Sequence, residues 1–358
     1  MNLRSVENEE LRSKTVLLRA DLDVPLKNDE IKDDTRLRAW YPTLELLVKK
    51  GAKIIVAGHL GRPKIQLPFL AFETKKENEE LSLKPVANWI KTESGSQKIE
   101  EIEINGFKAW KITEEISLLE NLRFYKEEEE NEESFSKNLA SLADVYVNDA
   151  FASSHRAHSS IVGVTKFLPS FAGIRLIKEV KELSSVLENP KRPLTILIGG
   201  AKIETKLPLV EKMHKFSDFV LVGGELSEQD KVLLRVMHEK LDRIKSILLV
   251  ADLEENKKEI TEYSSENFIQ VINKSETVVW NGPMGLIEEE KYSLETLKIA
   301  KAISEGSAYS IVGGGDTVGF LKKEKLLEKF SFVSIGGGAM LEYLSGETLP
   351  GLKPLETN

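Results

Sequence analysis

Seven cationic side chains, Arg36, His59, Arg62, Arg123, His155, Arg156 and His158, fall at or just after the ends of short β-branched runs in the first half of the chain. The chain as a whole is acidic, with 50 Lys and Arg against 58 Asp and Glu and a formal charge of -8. Positive charge gathered against that background suits a small, multiply anionic substrate, because guanidinium forks meet carboxylate and phosphate oxygens two at a time. Any one of these residues also reads as a solvated strand-end charge, and that reading weakens with each added member of the set. "SSHRAHSS" places His155 and His158 three apart, but no HExxH and no third clustered ligand accompanies them, so an anion-binding loop is preferred to a metal site. Asp21 and Asp23 in "RADLDVPL" share one face of a strand, or sit in the following turn if the strand ends at Ala20. Paired carboxylates there fit acid/base work or acceptance of a hydroxyl hydrogen bond.

In the second half glycines replace the cations. "GGGDT" (313–317) and "GGGAM" (336–340) follow apolar runs and open helices, so each offers backbone N–H donors to an oxyanion, although glycine serves plain turns as well. Asp316 and Thr317 add a carboxylate and a hydroxyl where the Mg²⁺ and phosphate of a nucleotide would be held. Lys202 and Lys206 in "GGAKIETK" project from one face of a helix if it begins near Lys202. A lysine there opposes the helix macrodipole, which places positive charge where a bound anion would be wanted. Phosphoryl transfer needs little beyond positioning, charge neutralisation and exclusion of water. No GxxxxGK[ST] and no complete GxGxxG occurs, which disfavours a P-loop NTPase and an NAD-dependent dehydrogenase.

The elements that must position these residues read as βαβ units. Strands are expected in "KTVLLRADLD", "AKIIVAGHLGRP", "ISLLENLRF" and "ADVYVNDAF", and then in "PLTILIGGAK", "DFVLVGGEL", "ETVVWNGPMG", "AYSIVGGGDT" and "SFVSIGGGAM". Each breaks into a turn before an amphipathic segment, the pattern of a parallel, doubly wound sheet. Ligands in such sheets bind beyond the carboxyl ends of strands, so the two kinds of strand end predict two half-sites. A length of 358 residues favours two cores. The boundary is expected in "IRLIKEVKELSSVLENPKRP", where a helix with Ile174, Ile177, Val180, Leu183 and Leu187 on its apolar face runs into Pro190. "FETKKENEELSLK" and "KEEEENEES" read as solvated surface.

Composition narrows the partners. The negative balance argues against nucleic acid. With no cysteine, disulfides, thiolate nucleophiles and Cys-ligated metals are excluded, and the chain fits a reducing cytoplasm. The N-terminal stretch is too charged for a signal peptide, and no apolar run approaches a membrane span of about 18 residues, so a soluble cytoplasmic protein without a membrane partner is expected.

The set "RADLDVPL", "DDTRLRAWYPTLELL", "HLGRP", "LLENLRFY", "VNDAFASSHRAHSS", "GGAKIETK", "WNGPMG", "GGGDT" and "GGGAMLEYLSGETLPGL" closely resembles the phosphoglycerate kinase family, in that family's order. The resemblance implies two Rossmann-like, doubly wound α/β domains hinged across a cleft and reversible transfer of a phosphoryl group between 1,3-bisphosphoglycerate and MgADP. It implies a 3-phosphoglycerate-binding domain over 1–173, with the tail 346–358 packing back on it, an interdomain helix over 174–188, and a nucleotide-binding domain over 189–345. By motif match Asp21, Asp23, Arg36, His59, Arg62, Arg123 and Arg156 would hold the acid, with Arg36 also near the transferring group. Lys202 would neutralise the phosphoryl in flight, and Lys206 would hold nucleotide phosphates. Gly314, Gly315, Asp316 and Thr317 would cradle the phosphates of ATP or ADP, with Asp316 the Mg²⁺ partner. Glu288 would meet the ribose, while Gly337 and Gly338 would offer a second helix start to the transition state. Direct in-line transfer, hinge closure and a monomer are the family's pattern.

The chain departs from that pattern in places. Asp23 stands where the family usually has Asn, placing a carboxylate beside an acidic substrate unless a nearby Arg pairs with it. Ile335 replaces a usual Thr, and one lost hydrogen bond to a charged group is worth about 1.5–3 kcal/mol. Ala152 and Ser153 stand for the usual Gly and Thr. The stretch between Gly224 and Thr277 is shortened where the family builds much of its adenosine pocket, which predicts a nucleotide held mainly by phosphates and ribose. The alternative is a weakly active or inactive homologue that binds a metabolite or partner.

Overall fold

In "TVLLRA" the side chains of Val16, Leu18 and Ala20 face one way and Leu17 and Arg19 the other, as strand geometry requires. Both sets are buried, so the strand must be covered on both faces. A computed structural model describes residues 1–63, 80–200, 209–225 and 246–357. The chain divides into unit 1, Met1–Val180 with Thr348–Asn358, and unit 2, Lys181–Glu347.

Unit 1 is built on a seven-stranded sheet of β1 (Thr15–Ala20), β2 (Lys53–Ala57), β3 (Glu100–Ile104), β4 (Phe107–Lys111), β5 (Ile116–Leu119), β6 (Val145–Asp149) and β7 (Ser170–Ala172). The spatial order is β3-β4-β5-β2-β1-β6-β7. Strands β5, β2, β1, β6 and β7 run parallel. One face packs Val16, Leu18, Ile54 and Val147 against α1 (Thr35–Lys49) and α2 (Lys84–Glu93). The other packs Leu17, Ile55 and Tyr146 against α3 (Glu133–Ala140). Strands β3 and β4 form an antiparallel hairpin outside the expected βαβ units. Its signal is present in "EIEINGFKAWK": Asn105 and Gly106 both take positive φ, 48° and 86°, as a two-residue hairpin turn demands.

The helix α4 (Ile174–Glu188) leads into unit 2. Its six strands, β8 (Leu194–Ile198), β9 (Phe219–Val222), β10 (Ile247–Val250), β11 (Thr277–Asn281), β12 (Tyr309–Gly313) and β13 (Phe332–Val333), are all parallel in the order β10-β9-β8-β11-β12-β13. One face packs Leu197, Leu221, Val278, Trp280 and Val312 against α5 (Glu262–Ile272), α6 (Leu294–Glu305) and α7 (Gly315–Lys323). In each sheet the strand order reverses at the unit's first strand, between β1 and β6 and between β8 and β11. Two crevices therefore open at carboxyl ends, as doubly wound sheets provide for ligands.

The stretch "KEEEENEES" is not simply a solvated face. Glu127–Glu129 lie in a one-turn helix, Lys126–Glu129, so one carboxylate of the run must point inward; Glu128 is 1% exposed. Of "FETKKENEELSLK", residues 72–79 lie outside the described residues, while Leu83 is a core residue. Among the described residues no helix is long and apolar enough to cross a membrane.

Candidate active site

At the first crevice β1 ends at Ala20, which puts Asp21 in the turn. Its carboxylate is buried and accepts from Ala152 N at 2.9 Å and Ser153 Oγ at 3.0 Å, across the sheet's reversal point. Burial pushes the Asp21 carboxyl up, opposed by Arg36 and Arg19. Asp23 accepts from Gly61 N at 2.9 Å. Arg36, at the start of α1, donates Nη1 to the Asp23 carbonyl at 2.7 Å and lies 3.6 Å from its carboxylate. The carboxylate that replaces the family's amide thus has an arginine to balance it.

Asn121 Nδ2 donates to the carbonyls of Leu60 and Leu81, while its Oδ1 accepts from Arg123 N, so one buried amide fixes the turn that presents Arg123. Arg123 donates to the Gly61 carbonyl at 2.6 Å and lies 3.1 Å from Glu129. Burial and the neighbouring Arg156 press its guanidinium down to about 10, with Glu129 opposing. Arg62, Arg156 and His158 line one cavity of about 470 Å³ with Pro63 and Glu129.

Three participants, Arg19, Ser160 and Glu128, are not singled out by the sequence. Arg19 is fully buried; it donates Nε to Ser160 Oγ at 2.8 Å and Nη2 to His59 Nδ1 at 2.8 Å. Ser160 in turn donates N to Glu128 at 2.9 Å and its hydroxyl to the same carboxylate. An arginine inside the apolar run "TVLLRA" is the signal that could have found this relay, since arginine is rarely fully buried without partners. Because Arg19 donates to Nδ1, the His59 ring is neutral with its proton on Nε2. Burial, then Arg19, Arg123, Arg156 and His158, hold His59 well below the usual imidazole range. Burial and the same arginines lower His158 to about 3, while burial and Arg156 lower His155 to about 4. The arginines of this wall oppose protonation of the three rings and repel one another, and an anion there would relieve that repulsion.

In unit 2 the three glycines of "GGGDT" have three different reasons. A Cβ on Gly313 would meet Met340 Sδ at 2.6 Å, so its space is taken by the core. Gly314 sits at φ +94°, a conformation that L side chains rarely adopt. A Cβ on Gly315 would meet nothing within 4 Å, and the same holds for Gly337 and Gly338. Gly315 and Gly338 open α7 and α8 (Gly338–Leu344), whose first N–H groups need partners outside the helix. Asn281, at the end of β11, joins the two turns: its Nδ2 donates to Gly337 O at 3.3 Å, and its amide lies 3.5 Å from where a Gly314 Cβ would be. Thr317 is buried and its hydroxyl accepts from Gly282 N at 3.0 Å, tying the "WNGPMG" turn to α7.

Asp316 is exposed on the first turn of α7 and makes no hydrogen bond or ion pair among the described residues. A free carboxylate beside open N–H groups fits Mg²⁺, which binds through one or two carboxylates together with nucleotide phosphates. Among the described residues no three His, Cys, Asp or Glu cluster as a metal site. Glu288 is exposed in the turn after β11. Lys202 and Lys206 lie outside the described residues. Ile335 is 6% exposed, and Ser334 Oγ accepts from Gly336 N at 3.1 Å.

A family model described as phosphoglycerate kinase matches residues 6–232 and 230–347. The two matches meet inside the stretch between Gly224 and Thr277. The chain is 37% identical over 401 residues to phosphoglycerate kinase of Leptospira biflexa serovar Patoc, covering 99% of this chain and 98% of the relative. It is likewise 37% identical over 403 residues to phosphoglycerate kinase of Coprothermobacter proteolyticus, covering 99% of each. Among solved structures it is similar to phosphoglycerate kinase from Coxiella burnetii, with a TM-score of 0.81, 31% identity and 99% of each chain covered. Phosphoglycerate kinase from Pyrococcus horikoshii OT3 gives a TM-score of 0.80 at 29% identity, covering 99% of this chain and 98% of that one.

Proposed function

The chain belongs to the phosphoglycerate kinase family and has that family's activity, and on that premise we propose how its residues perform it. The reaction moves a phosphoryl group reversibly between the acyl phosphate of 1,3-bisphosphoglycerate and ADP, a step of glycolysis. Relatedness along 99% of the chain carries this reading and does not favour the weakly active alternative.

The wall of Arg62, Arg123, Arg156 and His59 holds the phosphate end of 3-phosphoglycerate. Asp21, with Asp23 beside it, accepts from the substrate hydroxyl, and Arg36 reaches its carboxyl group. Three neighbouring guanidinium groups meet an anion's oxygens bidentately, while the neutral His59 ring supplies a donor without adding charge. Asp23 draws on Arg36, so it tempers the attraction of Arg36 for the acid rather than standing as bare negative charge.

The nucleotide phosphates lie over Gly314 and Gly315, taking the N–H groups at the start of α7, with Thr317 contributing its backbone N–H and Lys206 its ammonium. Asp316 would hold Mg²⁺, whose charge offsets that of the phosphates during transfer. Lys202, Arg36 and the N–H groups of Gly315 and Gly337 stabilise the charge on the moving phosphoryl group, and the acid's carboxylate attacks in line without a phosphoenzyme. Glu288 binds the ribose. Because unit 1 takes the acid and unit 2 the nucleotide, turnover requires hinge closure, which also keeps water from the acyl phosphate. The enzyme works as a cytoplasmic monomer with small molecules as its partners. The shortened stretch before Thr277 leaves the base loosely read.

Coupled assays with 3-phosphoglycerate and either MgATP or MgGTP test this reading. Turnover with both nucleotides, at kcat/KM values within about tenfold, is expected from one lost base contact of ~1.4 kcal/mol. Strong preference for one nucleotide would overturn the loose-base reading, and no turnover with either would overturn the activity.

A further inference from the structure

Glu259 is the more deeply buried of two carboxylates, with Glu295, that the mechanism leaves unused among the described residues of unit 2. It is 5% exposed, and it lies against the "WNGPMG" turn: a Cβ on Gly285 would meet its Oε1 at 2.2 Å. Its Oε1 also accepts from Ile260 N at 3.1 Å, and its Oε2 accepts from Glu295 N at 3.3 Å, in the first turn of α6. The neighbouring residues grip the same turn. The Lys258 carbonyl accepts from Leu286 N at 2.7 Å, and its ammonium lies 2.9 Å from Glu289 Oε1. From the other side Thr296 Oγ1 accepts from Met284 N at 3.2 Å and Gly285 N at 3.1 Å.

We propose that Glu259 is a positioning residue for the nucleotide: its carboxylate holds the start of α6 through Glu295 N while packing against Gly285, α6 in turn holds the turn through Thr296, and together they fix where Glu288 stands. The proposal rests on the reading that Glu288 binds the ribose. Both ends of the brace lie in unit 2, and its acceptor strength depends on the carboxylate being ionised, since a protonated carboxyl accepts more weakly. Burial pushes Glu259 up to about 7, with the two N–H donors opposing and Glu295 and Glu254 adding to the rise. The other charged groups nearby are already paired, Lys258 with Glu289 and Lys298 with Glu295 at 3.0 Å. The brace is therefore weaker below neutrality and stronger above it, and nucleotide affinity follows.

The test measures kcat, the KM for MgATP and the KM for 3-phosphoglycerate from pH 6 to 8.5 in wild type, Glu259→Gln, Glu259→Asp and Glu288→Gln, with calorimetric binding of MgATP alongside. Above pH 7.5 Glu259→Gln should raise the KM and Kd for MgATP about five- to tenfold, the loss of one charge-assisted hydrogen bond. Its kcat and the KM for the acid should hold. Because the ratio to wild type compares the same nucleotide at each pH, it cancels the titration of ATP itself, and it should fall toward one at pH 6. Glu259→Asp should retain the pH dependence. A ratio near one at every pH, or equal loss of kcat and both KM values, would overturn the proposal. If Glu259→Gln does not fold in a thermal melt, a flat ratio of Glu288→Gln to wild type across pH overturns it instead. A normal MgATP affinity in Glu288→Gln beside a weakened one in Glu259→Gln would uphold the brace and overturn the ribose role.

Discussion

On the function proposed above, unit 1 meets an anion chiefly with side chains and unit 2 chiefly with backbone, and the two strategies leave different marks. In unit 1 burial first, and then the neighbouring arginines, hold His155 near 4, His158 near 3 and Arg123 near 10, and the guanidinium groups lie close enough that a bound anion would relieve their mutual repulsion. That arrangement needs a buried scaffold, supplied by Arg19, Ser160 and Glu128 beneath the surface residues. In unit 2 the proposed donors among the described residues are N–H groups at helix starts, which carry no net charge and need room, left by Gly315, Gly338 and by Gly337, which also sits at φ +50°, while Lys202 and Lys206 would add the cations. A cationic wall suits the small acid, all of whose charge must be met by protein. An N–H cradle suits a nucleotide that arrives with Mg²⁺ already neutralising part of its charge.

The comparison breaks most sharply at the group proposed to serve the transition state. Lys202→Ala should lower kcat about 10²–10³-fold, the scale of losing one transition-state donor, while both KM values change little. A kcat within a few-fold of wild type in steady-state kinetics would remove Lys202 from the chemistry. Next in size are the glycines. Gly314→Ala forces a side chain into φ +94° and should lower stability by about 1–3 kcal/mol in urea denaturation. Gly315→Ala, with nothing within 4 Å, should leave the midpoint unmoved, so equal losses in the two variants would contradict the distinction between a strained glycine and an open one.

The smallest effect concerns pH. His59, His155 and His158 have folded pKa values lowered from the usual 6.5, so all three are neutral above pH 7 and stay so as pH rises. Attraction for the acid then comes from arginines alone, and the KM for 3-phosphoglycerate should change less than about twofold between pH 7 and 8.5. A KM that climbs steadily through that range would mean that a histidine in the wall carries a proton when the substrate binds.

Much of this was legible in the sequence because strand ends announce themselves. An arginine or glycine that follows β-branched residues stands at a carboxyl end, and the doubly wound order puts those ends in a crevice. What stayed hidden depends on partners distant in the chain. Glu128 looks like one of four successive solvated glutamates until a helical turn aims it at Ser160, 32 residues away. Arg19 reads as part of a strand until its contacts with Ser160 and His59 show it as the floor of the cationic wall. Asn281 sits inside the quoted "WNGPMG", yet its link between two glycine turns needs β11 beside β12. The hairpin of β3 and β4 stays hidden for a different reason: an antiparallel pair does not follow the βαβ pattern.

The division of labour between the units is tested most directly by measuring both KM values in one assay for Arg123→Ala and Gly315→Ala. A crossed result is expected. Arg123→Ala should raise the KM for 3-phosphoglycerate about ten- to hundredfold, the loss of a charged hydrogen-bond partner, and leave that for MgATP within twofold. Gly315→Ala should raise the KM for MgATP and leave that for the acid unchanged. If both variants raise both KM values alike, the acid and the nucleotide are not held by separate walls, and the account is wrong.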